Sequence, residues 1–298
     1  MNSMWFNVAV VLLWVATMSW LISQKVVPSL LVGEPPSYRT IVEAKQEEPL
    51  VGWSMTWNDR RVGWALDSTR PLANGMTEVR SLVHFDDLPL EEMTPGWLRS
   101  MLLPDGGADL RLEIEAKSKL TFDPLQRPSE FESSVGFQGM DDVIKVRGTL
   151  DGAQLKLSVH AGDITYDREL DLPREALLND ALSPQSKLPG LTRGQTWKVE
   201  IYSPLRPPHN PMEVLQATVE GTEPVVWGRR VVDAWLVVYR ADPGAGTANA
   251  RSSRGRLWVR RDGTVLKQEV TVFDSAMTFV RLSDGDAAAL AEAAGDWE

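Results

Sequence analysis

The sequence predicts a mainly β protein: an antiparallel sheet with a few short helices, preceded by one N-terminal transmembrane helix. Three observations carry this. The run MWFNVAVVLLWVATMSWLI, from Met4 to Ile22, contains no charged side chain. From Val51 onward, short runs alternate apolar and polar residues between Gly, Asp, Asn and Pro, which is the period of strands with one buried face. Beyond the first segment, helical periodicity is confined to a few short stretches.

Taken in order, residues 4–22 span about 28 Å as a helix, close to the thickness of a bilayer's hydrocarbon core. Trp5, Phe6 and Trp20 lie near its ends, where amphipathic rings favour the interface. A cleaved signal peptide would carry a basic start and a small-residue cleavage site, and Thr17-Met18-Ser19-Trp20 offers neither. The segment is therefore expected to remain as an anchor. Lys25, Arg39 and Lys45 follow it, which taken alone would place the following domain in the cytoplasm. Residues 23–50 carry Pro28, Gly33, Pro35, Pro36 and Pro49 and are expected to be an extended linker.

Residues 51–283 are expected to form the β domain, with a boundary possible at 183–194, where Pro184, Pro189, Gly190 and Gly194 cluster. If Asp151-Gly152 closes a two-residue turn, Leu150 faces Ala153, Val146 faces Leu157 and Ile144 faces Val159. Lys145, Arg147, Gln154 and Lys156 then take the other face. A second turn at Asp262-Gly263 pairs Val259 with Leu266, Arg256 with Glu269, and Trp258 with Lys267 as a cation–π pair. A three-residue loop with a glycine bulge would move that register by one. Further strands are expected over 54–66, 76–85, 110–122, 131–138, 164–170, 196–202, 213–220 and 231–239. Short helices are expected over 95–103, 174–182 and 286–294, the last within a C-terminal tail at 284–298.

Composition bounds the function. Hydrophobic residues make up 43% and charged residues 24%, ordinary for a globular chain with a sizeable core. The net charge is −10 without a basic stripe, which disfavours nucleic acid as a partner. There is no cysteine, so disulfides, thiolate nucleophiles and Cys-ligated metals are excluded. His84, His160 and His209 are the only histidines and none stands at metal-ligand spacing, so no metal and no cofactor are expected. The acidic pairs Asp86-Asp87, Glu91-Glu92 and Asp141-Asp142 sit at strand ends, where solvated turns account for them. Asp284-Gly285-Asp286 has the look of a turn and helix cap. No nucleophile elbow marks a serine. The glycines of GAGTANA (244–250) lack the Gly-Lys-Ser/Thr ending of a phosphate loop.

Tryptophan is abundant, with 12 residues. Core filling is the ordinary role of such rings, and lining an apolar ligand site is the alternative, for which Trp197, Trp235 and Trp258 are the candidates. Trp53 and Trp57, near the linker, would suit contact with the membrane surface.

With these segments in place, VGWSMTWNDRRVGWAL (51–66) resembles the β-rich regions that precede the catalytic domain in bacterial transglutaminase-like membrane proteins. GQTWKVEIYSPLRP (194–207), LQATVEGTEPVVWGRRVVDAWLVVYR (215–240) and RLWVRRDGTVLKQEV (256–270) resemble the same regions. They are also similar to periplasmic β domains related to lipoprotein-carrier half-barrels. The resemblance implies a strongly curved, half-barrel-like sheet on the periplasmic side of the bacterial inner membrane. It transfers no catalytic residue, because the family's cysteine nucleophile has no counterpart here.

The expected function is that of a single-pass, non-enzymatic envelope protein whose β domain binds an apolar ligand, such as a lipid, or a membrane-protein partner. A structural or accessory subunit of a membrane complex without a ligand pocket is the alternative. A hydrolase working through carboxylates is the third reading.

Overall fold

The computed structural model describes residues 2–21, 36–46, 48, 50–89, 111–137, 140–152, 154–171, 177–178, 183–202, 212–241, 253–272 and 275–295. Two helices come first, α1 (Asn2–Leu21) and α2 (Tyr38–Gln46). Eight strands follow: β1 (Leu50–Trp57), β2 (Arg60–Pro71), β3 (Thr77–Pro89), β4 (Arg111–Phe122), β5 (Pro128–Phe137), β6 (Met140–Asp151), β7 (Gln154–Ala161) and β8 (Ile164–Asp171). The second series comprises β9 (Leu177–Leu178), β10 (Thr196–Tyr202), β11 (Met212–Trp227), β12 (Arg230–Ala241), β13 (Ser253–Val259), β14 (Val265–Val272) and β15 (Ser275–Arg281). A last helix, α3 (Asp284–Ala294), closes the described chain.

All fifteen strands belong to one sheet, in the order β8-β7-β6-β5-β4-β3-β2-β1-β15-β14-β13-β12-β11-β10-β9. Every neighbouring pair is antiparallel except the two-residue β9, which runs parallel to β10. The first meander thus runs outward from the middle and the second runs back from the opposite edge to it, where β1 pairs with β15 (Trp53 opposite Arg281). Laid flat, such a sheet would be about 67 Å wide. Its two edge strands are nonetheless joined by the short run from Asp171 to Leu177, which reaches about 22 Å at most. The sheet must therefore curl until its edges approach each other, while among the described residues no β8–β9 pairing closes it.

The inner face is the one that carries Trp53, Met55 and Trp57. Its main core unites those residues with Val83 and Phe85 of β3, Val199 of β10, Ala217 and Val219 of β11, Val237 of β12, Val259 of β13 and Phe279 of β15. A smaller cluster at the far end centres on Leu155 and Leu157.

Several expectations need correction. Residues 54–66 are not one strand: Asn58 and Asp59 both take positive φ, 47° and 66°, and form a two-residue turn between β1 and β2. Within the linker expected over 23–50, of which residues 23–35 lie outside the described residues, residues 38–46 form α2, N-capped by Ser37, whose Oγ accepts from the Thr40 N–H at 3.3 Å. Ile41 and Val42 of α2 are buried. In the β6–β7 hairpin, Asp151 pairs with Gln154, so the loop falls one residue later than expected, with Gly152 at φ 65° in its first position. Val146 accordingly faces Val159, and Leu150 faces Leu155. The shift is an even number of residues, so the apolar and polar faces stay as read.

In the β13–β14 hairpin Arg256 does face Glu269 and Trp258 does face Lys267, but a bulge sets Val259 opposite Val265 rather than Leu266. The three-residue loop ends in Gly263 at φ 84°, and the Cα of Pro189 lies where a Cβ on that glycine would stand 2.7 Å away. Within 174–182, Leu177–Leu178 are strand, not helix. The helix expected over 95–103 and the GAGTANA stretch lie outside the described residues. The C-terminal helix is present, capped by Ser283, whose Oγ accepts from Asp286 N at 3.2 Å. Ala287 packs on Gly52 of β1, where an added Cβ would come within 2.9 Å.

Among the described residues no helix is long and apolar enough to cross a membrane, so the span expected over 4–22 is not shown. The structure there is α1, whose residues Val10–Leu21 are all exposed.

Candidate functional site

One inner-face row crosses eight strands in register: Trp53, Ala65, Val83, Ala116, Val135, Ile144, Ala161 and Ile164. It runs from sealed to open. Trp53 is 0% exposed, Val83 1% and Ala116 3%; Val135, Ile144 and Ala161 are half-buried; Ile164 is 71% exposed. The next row changes polarity along the same direction, from Asp67, Ser81, Ser118 and Ser133 to Val146, Val159 and Tyr166. Strands β5–β8 therefore form a wing whose inner face is mainly apolar, interrupted by Ser133 and by Arg168 opposite Leu157, and only half covered. Phe131, Val146, Leu150 and Val159 surround Leu155 and Leu157 there. The Phe131 ring lies over Gly148, where an added Cβ would meet it at 2.0 Å.

Where the two rows enter the sealed half, a buried polar spine replaces the apolar surface. Asp67 accepts from Trp53 Nε1 at 3.0 Å and from the Ser183 hydroxyl at 3.2 Å, and that hydroxyl stands 2.7 Å from Ser81 Oγ. Burial raises the Asp67 carboxyl above its ordinary value; the Lys45 charge and these hydrogen bonds oppose the rise without cancelling it. Lys45, at the end of α2, is lowered by burial, with Asp67 opposing. Beyond Trp53, whose ring has Arg281 6.0 Å from its centroid, Glu48 is held between Arg281 and Lys187, the latter at 2.9 Å. Burial would raise Glu48, but the Lys187 hydrogen bond and the two positive charges keep it below its ordinary value.

Segment 183–189 is thus strapped across the inner side. Val265 N donates to Ser186 O at 3.0 Å, Leu188 N to Gly263 O at 2.7 Å, and Lys187 Nζ to Thr264 Oγ1 at 3.1 Å. These ties draw residues 183–189 of the stretch expected at 183–194 against the sheet, while Gly190 and residues 192–194 are exposed. Their role is to fix α2 and the strap against the sheet. None of them was found by reading sequential acidic pairs. The signal that finds Asp67 is the period of two, which puts it on the face of Ala65.

The three candidate tryptophans do not converge. Trp197 and Trp235 flank the main core on the inner face, Trp197 edge-on to Tyr239 with centroids 6.5 Å apart. Trp258 belongs to the outer face, in a cluster with Val225, Leu236 and Val238. Its Nε1 donates to Glu223 at 3.0 Å and Lys267 Nζ lies 4.6 Å from its ring centroid. Trp53 and Trp57, considered for membrane contact, are buried in the core.

Two open clefts accompany these surfaces. One of about 410 Å³ lies over β6–β8 between Arg147, Lys156, Asp167 and Glu169. The other, about 500 Å³, is lined by Trp235, Arg193, Arg261, Glu220 and Glu223. Neither is an enclosed apolar cavity.

His84, on the outer face, stacks on Trp64 with centroids 5.1 Å apart, and its Nε2 lies 3.2 Å from Asp86. His160 Nδ1 is 3.0 Å from the Thr165 hydroxyl. Among the described residues no three His, Asp or Glu side chains stand close enough to hold a metal. His209, Glu91-Glu92 and the side chains of Asp87 and Asp141-Asp142 lie outside what is described.

No protein-family model matches the chain, and no curated protein matches it. Among solved structures it is similar to a β-barrel-like protein of domain of unknown function DUF1849 from Brucella abortus. That match has 10% identity and a TM-score of 0.46, covering 78% of this chain and 95% of the other. It is also similar to a DUF1089 family protein from Pseudomonas aeruginosa, with 16% identity and a TM-score of 0.35, covering 70% and 90%. A kinship with transglutaminase-like proteins or lipoprotein carriers is not shown.

Proposed function

We propose that the protein is a non-enzymatic, single-pass envelope protein of the bacterial inner membrane, its β domain on the periplasmic side, and that the wing's inner face binds an apolar ligand. The observation that carries this reading is the row from Trp53 to Ile164, along which a continuous apolar surface passes from buried to open. A surface of that kind lowers its free energy when an acyl chain or other apolar group covers it. Ser118 and Ser133, where the adjoining row turns polar, would suit the polar end of an amphipathic ligand.

The anchor in this proposal is α1. The reading rests on the sequence, on the uncharged run from Met4 to Ile22, which would extend about 28 Å as a helix. Thr17, one of two hydroxyl residues in the exposed part of α1, donates its hydroxyl back to Leu13 O at 2.8 Å, which is what a hydroxyl in hydrocarbon requires. Alkaline extraction of membranes expressing the full chain tests this: an anchored protein stays in the pellet, and release into the supernatant would refute the anchor.

The ligand reading is tested with a photo-crosslinking benzoylphenylalanine in place of Tyr166, which is 51% exposed on the wing. Irradiation of intact cells followed by mass analysis of the full chain should give a lipid-sized adduct. A protein adduct instead would favour the accessory-subunit reading, and absence of any adduct would remove the wing as a binding face.

A further inference from the structure

The β11–β12 hairpin ends in a tip unlike the rest of an acidic chain. Val226 and Val231 pair across it at 70% and 68% exposure. The turn between them is Trp227-Gly228-Arg229-Arg230, with Gly228 at φ 61° in the first loop position. Arg229 and Arg230 are exposed and carry no acidic partner among the described residues. The nearest acidic residue on the hairpin, Asp233, is set two positions back from Val231. The tip is also held rigidly: Trp227 Nε1 donates to Arg281 O at 2.9 Å, and Arg260, itself paired with Asp262, lies 6.0 Å from the Trp227 ring centroid.

That bond to Arg281 fixes where the tip stands. Arg281 ends β15 and pairs with Trp53 near the start of β1. The tip therefore belongs to the rim at which the chain enters from α1 and α2. The turn Asp123–Arg127, between β4 and β5, opens on the same rim and presents Leu125 at 66% exposure. Among the described residues outside α1, the exposed large apolar side chains are Leu125, Ile164, Tyr166, Val226 and Val231, so three of these five project from this one rim. Arg261, in the β13–β14 turn, adds a further exposed cation there.

We infer that this rim is a membrane-contact surface: Val226 and Val231 enter the headgroup layer while Arg229 and Arg230 pair with the phosphates of anionic phospholipids. Paired apolar side chains flanked by unpaired arginines are the chemistry an anionic bilayer surface favours, since each basic residue is drawn to its negative potential. The direction of approach rests on the anchor reading; the chemistry of the tip does not. Resting on this rim would keep the turn Ala161–Ile164 and the opposite mouth of the curved sheet turned away from the bilayer.

Because the chain has no cysteine, single labels can be placed without altering the background. The full chain with Val226→Cys carrying a nitroxide would be reconstituted into nanodiscs of mixed phosphatidylcholine and phosphatidylglycerol. Collisional accessibility to a water-soluble relaxer would then be compared with an Asp163→Cys label at the opposite rim. The Val226 label should be shielded and the Asp163 label open, and equal accessibility would overturn the proposal. Adding Arg229→Gln and Arg230→Gln should shift the docked-to-undocked ratio by about thirtyfold, as expected for two basic residues at an anionic surface. Equal shielding in discs of phosphatidylcholine alone would remove the role given to the arginines. Retention of the chain by the disc reads α1 separately. If the chain is not retained, flotation with vesicles of the same mixed lipids decides: shielding of the Val226 label on floating protein supports the contact surface, and failure to float refutes it.

Discussion

The sealed half of the sheet, β1–β4 with β10–β15, and the wing, β5–β8, share the same strand geometry and differ in what covers their inner face. In the sealed half, α2 and the strap at 183–189 lie against the strands, and Trp53, Met55, Val62 and Ala65 have no exposure. Among the described apolar residues of the wing only Leu155 reaches that state, with Leu157 5% exposed. Alternating sequence alone makes an apolar face in both. Burial depends on a second layer, and here that layer is tied down by a few charged residues, Lys45, Glu48, Lys187 and Arg281, rather than by apolar contact alone.

The contrast predicts unequal responses to the same kind of change. Trp53→Ala should cost about 3–5 kcal/mol, through the cavity and the loss of a donor to buried Asp67, whereas Val159→Ala in the wing should cost under about 1.5 kcal/mol. Equilibrium denaturation of the full chain measures both, and equal losses would break the comparison. Glycine substitutions sharpen it. An added Cβ at Gly63 would stand 2.0 Å from the His84 carbonyl oxygen, a backbone atom that cannot move aside, and Gly63→Ala should cost about 3 kcal/mol. At Gly148 the obstacle is the Phe131 ring, which can turn, so Gly148→Ala should cost about 1 kcal/mol. Hydrogen exchange should place that second loss in β5–β8 alone.

Acid should act mainly on the sealed half. Glu48 lies below its ordinary value of 4.5, and so does Glu78, which burial would raise but which Lys119, Arg70 and Arg80 hold down on the outer face. Such groups contribute stability that is present above about 4.5 and is lost as pH falls through their lower folded values. Asp67 works the other way: its raised value means the folded state takes up a proton first, so falling pH relieves a cost. Melting temperatures followed from neutral pH to pH about 3 should therefore decline less steeply on the acid side in Glu48→Gln and more steeply in Asp67→Asn. The smallest expected effect on stability is that of Tyr166→Ser, within about 0.5 kcal/mol, with the lipid-sized adduct formed from a crosslinker at neighbouring Ile164 lost.

Local pairing was the legible part. The Lys267–Trp258 contact and the Arg256–Glu269 pair follow from a two-fold period and a glycine turn, both local in sequence. What escaped was either hidden by a stronger local signal or dependent on distant chain. Pro35 and Pro36 marked a linker and masked the Ser37 cap of α2. β15 alternates plainly in Ser275–Arg281, yet its partner β1 is at the other end of the chain. The strap has no periodicity, since each of its residues answers to a different strand. The candidate tryptophans were grouped by abundance, and the parity of their strands separates Trp258 from Trp197 and Trp235.

The pairing of Trp53 with Arg281 has a consequence for biosynthesis. Of the fifteen described strands β1 is made first, and one of its two neighbours is made last. While the ribosome works through the intervening strands, the β15 side of β1 presents unpaired amides and carbonyls beside large aromatic rings, a state prone to wrong partners. A nonsense mutation before Ser275 would therefore do more than shorten the product. It would leave the middle of the sheet unjoined, and quality control should treat that chain as unfolded.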